Sequence, residues 1–146
     1  MQPMVIHGDT EGLIVDILNN HTPELIPYGV TISTDLRGYD TGVRWVMVTL
    51  EGGFNSIWNV INRPRIDFQV RAELRSVAHD IGQICMASIY RAVPYSAYGA
   101  TLSSVVTELG LTNVPDKEEE ASYRYIFSIR ATCTVDPDSA PGAESS

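Results

Sequence analysis

Three histidines, two cysteines and eighteen carboxylates are the side chains here best suited to bind metal or move protons near neutral pH. His7, His21 and His79 are scattered, and no two stand in the HxxxH or HExxH spacing that sets imidazoles on one helical face. His79 and Asp80 are adjacent, but neighbours on a helix point about 100° apart, so they read as surface residues rather than a proton relay. In "KEEEAS", residues 117–122, three consecutive glutamates cannot all face one ion, and the stretch reads as a solvated acidic turn. Gly8-Asp9 and Gly52-Gly53 lie outside any strand-GxGxxG-helix or GxxxxGK context, and no GxSxG occurs. The expectation is a chain with no enzymatic activity, no cofactor and no metal.

Cys85 and Cys133 sit in separate apolar-flanked segments without CxxC or CxxH spacing, the setting of reduced core thiols. Ten basic residues against eighteen acidic ones give a formal net charge of −8. A tight nucleic-acid binder presents a basic patch to the phosphates, so this balance argues against tight DNA binding. An acidic surface lets a duplex slide past without sticking. No basic-then-apolar leader opens the chain and no apolar run approaches ~18 residues, so a soluble protein made inside the cell is expected.

At 146 residues the chain fits one domain, expected over 1–135, that buries roughly two-thirds of its unfolded surface. Residues 136–146, "DPDSAPGAESS", are acidic and lack large apolar side chains, the composition of a disordered tail. Leu13, Ile14, Ile17 and Leu18 at helical spacing predict a helix over 9–20, with Asp9 or Thr10 as its cap and Asn19-Asn20 at its end. Strands are expected at 29–34 and at 42–53, the latter closed by two glycines. A second helix should run from about Leu74 to Arg91 on the stripe Leu74, Val77, Ala78, Ile81, Ile84, Cys85, Ser88 and Ile89. Glu73 is placed to serve its first amides and Pro94 to stop it. Strands at 101–111 and 123–135 complete the reading. The order predicts an α+β fold: a mostly antiparallel sheet of about four to five strands with two helices packed on one face.

Between these elements stands "NRPRIDFQVRAEL", residues 62–74, where Ile66, Phe68, Val70 and Ala72 alternate with Asp67, Gln69, Arg71 and Glu73. Such alternation puts one face on a core and the other on water or a partner. The preceding 54–64, "FNSIWNVINRP", has no clean period and predicts a loop or extended arm. Its Ile57 and Trp58 are too apolar to stay wet, and belong against a neighbouring subunit or under the domain's own helix.

Taken in order, the helix "TEGLIVDIL", the strands "GVTISTDL" and "VRWVMVTLEGG", "NRPRIDFQVRAELRSVAHDIGQICMASI" and "VPDKEEEASYRYIFSIRATC" resemble the tail terminator proteins of long-tailed bacteriophages. In that family a segment resembling residues 63–67 opens the strand that runs into the long helix, and one resembling 114–116 precedes the closing aromatic strand. The resemblance covers nearly all of 9–134, with the apolar insert around Trp58 as a departure.

What the resemblance implies is a structural virion protein at the neck. A homo-oligomeric ring, a hexamer by family likeness, would cap the tail tube, stop its elongation and join tail to head. Its partners would be the tail-tube protein and a head-side connector or stopper, with DNA passing through and no membrane contact. Subunit contacts would then involve Ile57, Trp58, Arg63, Arg65, Asp67, Arg71 and Glu73, with alternating charges pairing across the seam. The plain alternative is a solvated sheet face. Asp35, Asp40, Glu51, Glu118, Glu119 and Glu120 are candidates for acidic loops facing the lumen or tube. Alternatives are another neck protein, a head-closure or adaptor subunit, or a tail-tube subunit, which would be richer in long β-hairpins. A small hydrolase or nucleotide-binding enzyme would need convergent polar residues that the sequence does not present.

Overall fold

Period-2 alternation in residues 65–72 becomes the central strand of a sheet in a computed structural model of the protein. The structure describes residues 10–35, 43–51, 55–56, 61–97, 100–115 and 123–135, of which 51, 55–56, 61–62 and 135 are described by backbone alone. The helices are α1 (Thr10–Asn20) and α2 (Arg75–Ala92), with a 3-10 helix at Pro23–Tyr28. The strands are β1 (Thr31–Ser33), β2 (Trp45–Glu51), β3 (Asn55–Ser56), β4 (Ile61–Asn62), β5 (Arg65–Ala72), β6 (Tyr95–Ala97), β7 (Ala100–Asn113) and β8 (Tyr123–Val135).

These eight segments lie on six lines, in the order β6, β7, β8, β5, β2, β1. β4 prolongs β5 along the same edge of β8, opposite Cys133 and Thr134, and β3 pairs with β4 as β2 pairs with β5. The β3–β4 pairing therefore continues the antiparallel β2–β5 pairing. Its register slips by one residue between Glu51↔Arg65 and Asn55↔Asn62. The expected α+β class holds, but the sheet has six strand lines rather than four to five. It is also mixed rather than antiparallel, because β1 runs parallel to β2. A parallel neighbour needs a returning connection, and residues 34–44 join the two strands. The 3-10 helix and β6 were not expected either.

Both helices pack on one face of the sheet, which holds the core. Cross-strand rows Val46–Val70–Tyr125 and Val48–Phe68–Phe127, with Ile66 opposite Ile129, line that face. The Phe68 and Phe127 rings stack 4.3 Å apart and within 5° of parallel. Leu13, Ile14, Ile17 and Leu18 of α1 and Ala78, Ile81, Cys85 and Ile89 of α2 close over them. Burying each such side chain contributes about 1.5–3 kcal/mol, so these rows outweigh any surface ion pair.

The helix ends differ from expectation in their chemistry. Glu73 does not cap α2: Leu74 occupies the cap position in extended conformation with no side-chain cap, and Glu73 is taken by Arg44. Thr10 is already helical and buried, and its hydroxyl donates to Cys133 Sγ at 3.7 Å. At the other end of α2, Val93 turns extended before Pro94, a residue that biases its predecessor away from helix. Asp9 lies outside the described residues.

Candidate interaction face

The side of the sheet away from α1 and α2 carries the polar set of β5: Arg65, Asp67, Gln69 and Arg71. The β8 residues in register with them are Arg130, Ser128, Ile126 and Arg124, and on β2 they face Glu51, Thr49, Met47 and Trp45. Among the described residues no helix covers this face. β7 carries three register shifts, and such bulges bend a strand. The face contains a cleft of about 260 Å³ lined by Met47, Thr49, Asp67, Gln69, Leu109 and Ile126.

Its charges pair within the chain. Arg65 Nε donates to Asp67 Oδ1 at 2.9 Å, and Ser128 Oγ donates to the same oxygen at 2.6 Å. Arg71 Nε donates to Gln69 Oε1 at 3.1 Å, and Arg130 grips Glu108 at 2.8 Å while its Nη1 reaches the Arg63 carbonyl. Beyond the strand, Arg44 holds Glu73 at 2.6 Å and the Tyr28 carbonyl at 2.9 Å. The Arg44 hydrogen bonds keep the Glu73 carboxyl below its ordinary range, and Glu73 in return raises the guanidinium.

Burial separates residues that the sequence treats alike. Arg71 is 7% exposed and Ser128 2%, so both are buried, and Ser128 belongs to the cleft wall. Arg63 and Arg65 are exposed, while Asp67 and Glu73 are half-buried. Trp45, opposite Arg71, is buried, and its Nε1 donates to the Asp35 carbonyl. Asp35 itself is exposed beside β1, away from β5 in the strand order. Ile57, Trp58, Asp40, Glu118, Glu119 and Glu120 lie outside the described residues, as does 136–146, and Glu51 is placed by its backbone alone. Sequence reasoning missed Ser128, Arg130, Glu108 and Arg44. Residues 123–135 do alternate, so Ser128 and Arg130 were findable as the outward set of that strand. Nothing local announces the Arg44–Glu73 pair across 29 positions.

Elsewhere the reactive side chains have structural surroundings. Cys85 and Cys133 are free and buried, and burial pushes the Cys85 thiol up to about 12. His79 Nδ1 lies 3.9 Å from Asp80 Oδ1, too far for a hydrogen bond, and its ring meets Tyr125 edge-on. Among the described residues no three His, Cys, Asp or Glu side chains converge as a metal site, and no helix is long and apolar enough to cross a membrane. No family model and no curated protein sequence matches the chain.

Proposed function

We propose that this chain is a tail terminator of a long-tailed bacteriophage, a structural subunit whose homo-oligomeric ring, most simply a hexamer, caps the tail tube and joins it to the head. The order of sequence features motivates this reading. The observation that supports it is the polar, clefted outer face of the sheet, uncovered by helices among the described residues. Heterologous contacts between copies close into a ring when the rotation closes, so such a subunit stops growth by geometry, without chemistry. Since Arg65–Asp67 and Arg130–Glu108 already pair within the chain, a seam through this face exchanges existing pairs and gains register more than energy.

A tail-tube subunit is the second reading. The long antiparallel pairing of β7 with β8, and the continuation of the β2–β5 pairing by β3 and β4, favour it. Electron microscopy of lysates from a phage carrying a stop codon at Trp58 separates the two. Headless tubes of variable, abnormal length are expected of a lost terminator. Absence of tubes assigns the chain to the tube, and uniform tails beside leaking heads assign it to the head-side neck.

A further inference from the structure

Among the described residues the sheet ends on one side at β1, three residues long, and on the other at β7, where β6 pairs only with Ala100, Thr101 and Leu102. Along 103–113 the outer edge of β7 pairs with no strand among the described residues. An open edge presents a row of unpaired amides and carbonyls, and proteins ordinarily guard one with lysine, proline or a projecting charge. Residues 103–113 contain no lysine or proline, and their one charged residue, Glu108, is turned back onto Arg130 of β8. Apolar surface flanks the edge on both faces. Val106, in register with Arg130 on the outer face, is 62% exposed. Tyr90 of α2, on the helix face, is 42% exposed with its hydroxyl 2.7 Å from Thr107 Oγ1.

The mate that fits this edge is the β7 of a second copy. β1, the sheet's other end, is too short to match it. Two β7 edges related by a two-fold axis normal to the sheet run antiparallel and keep both helix layers on one side, so opposite residues share a face. From Ser104 to Thr107 the pairing with β8 is unbroken, the residues are uncharged, and the bulges of β7 lie on either side. With the axis at Val106, Val106 meets its own mate, Val105 meets Thr107, and Ser104 meets Glu108. That register keeps the two Glu108 carboxylates apart, where an axis at Glu108 would set like charges directly opposite. On a chain of net charge −8, an uncharged strip is also where two copies approach with least repulsion. β6 stands beside 100–102, where the mate's strand would continue past residue 109, and so bounds the pairing to 103–109.

We propose that two copies pair reversibly through residues 103–109 of β7, extending the sheet across a two-fold axis at Val106. Main-chain hydrogen bonds supply the affinity, and the facing Val106 side chains and Tyr90 exclude water on the two faces. A strip ~23 Å long is small for a stable dimer, so the pairing depends on concentration. It uses the edge of the sheet and leaves the outer face free, so it stands independently of the phage reading.

Hydrogen exchange of the β7 amides in the full chain tests it. The outward amides of 103–109 are expected to exchange about tenfold faster after about a hundredfold dilution from about 1 mM, with 66–71 unchanged. Val106→Lys, which sets ammonium groups against each other at the axis, should show the fast rate at both concentrations. Arg65→Glu, on the outer face, should leave the dilution effect intact, so failure of a ring seam there is told apart from failure of this pairing. Protection that survives dilution overturns the proposal, because the chain then covers the edge itself. Fast exchange at both concentrations in the unaltered chain overturns it too, as does a dilution effect that Arg65→Glu abolishes or that Val106→Lys spares. If Val106→Lys accelerates exchange at 66–71 as well, Val106→Cys treated with diamide decides. A disulfide-linked dimer forming about tenfold faster than from Arg65→Cys supports the axis, and equal rates reject it.

Discussion

Replacing Gly82 by alanine sets two effects of known size against each other at the contact between α2 and β7. In a helix interior alanine is favoured over glycine by about 1 kcal/mol. Gly82, however, is buried, and a Cβ there would lie 2.6 Å from Leu111 Cδ1 and 3.1 Å from its Cδ2. The obstacle is the far end of a half-buried leucine, which can shift, and overpacking of this kind costs about 1–3 kcal/mol. Gly82→Ala is therefore expected to destabilise the chain by about 1 kcal/mol net. In a Leu111→Ala background the obstruction is gone, and the same change should stabilise by about 1 kcal/mol, a coupling of about 2 kcal/mol. Urea unfolding followed by the fluorescence of buried Trp45 measures all four corners of the cycle. Equal destabilisation by Gly82→Ala in both backgrounds would refute the packing of α2 on β7 described above.

Phe68→Ala removes a 1% exposed ring together with its stack on Phe127, and an equilibrium unfolding curve should record a loss of about 3–5 kcal/mol. Hydrogen bonds from the Tyr95 hydroxyl and from Asn20 hold the Asp16 carboxyl below its ordinary value of 3.8. A carboxyl lowered on folding stabilises above its unfolded pKa and loses that contribution as pH falls through the folded one. Tyr95→Phe should therefore cost about 1 kcal/mol at pH 7, and the gap to the unaltered chain should shrink in melts taken below pH 3.8. Cys85, with its thiol pushed up to about 12, should resist a thiol reagent at pH 8 until urea unfolds the chain. Charge reversal at Arg65, whose side chain is 44% exposed, should alter self-association while leaving circular dichroism unchanged. Reversal at the buried Arg71 should instead unfold the chain.

Where side-chain periodicity and burial coincide, the sequence was a sufficient guide. The alternation Ile66, Phe68, Val70, Ala72 marks β5 and its buried face, and the stripe from Val77 to Ile89 marks α2, because each pattern directly records which side meets the core. The pairing of Asn55–Ser56 with Ile61–Asn62 was not legible, since neighbouring backbone register imposes it on residues without a period. The parallel placement of β1 depends on where residues 34–44 return, which no local propensity encodes. The short 3-10 helix was not legible either: Pro23 opens it, where proline suits the first turn, Pro27 lies inside it, and Gly29 caps its end at φ 63°. On the outer face, charge alternation identified Asp67 and Arg65. Their partner Ser128 comes from a strand sixty-one residues away, and Arg71, in the same alternation as Arg65, is buried where Arg65 is exposed.

Gold-labelled antibody against the chain, applied to intact virions of a phage that encodes it and viewed by electron microscopy, tests the proposed function most directly. A terminator should label as one focus where the tail meets the head. Label distributed along the whole tail, or virions free of label, would contradict it.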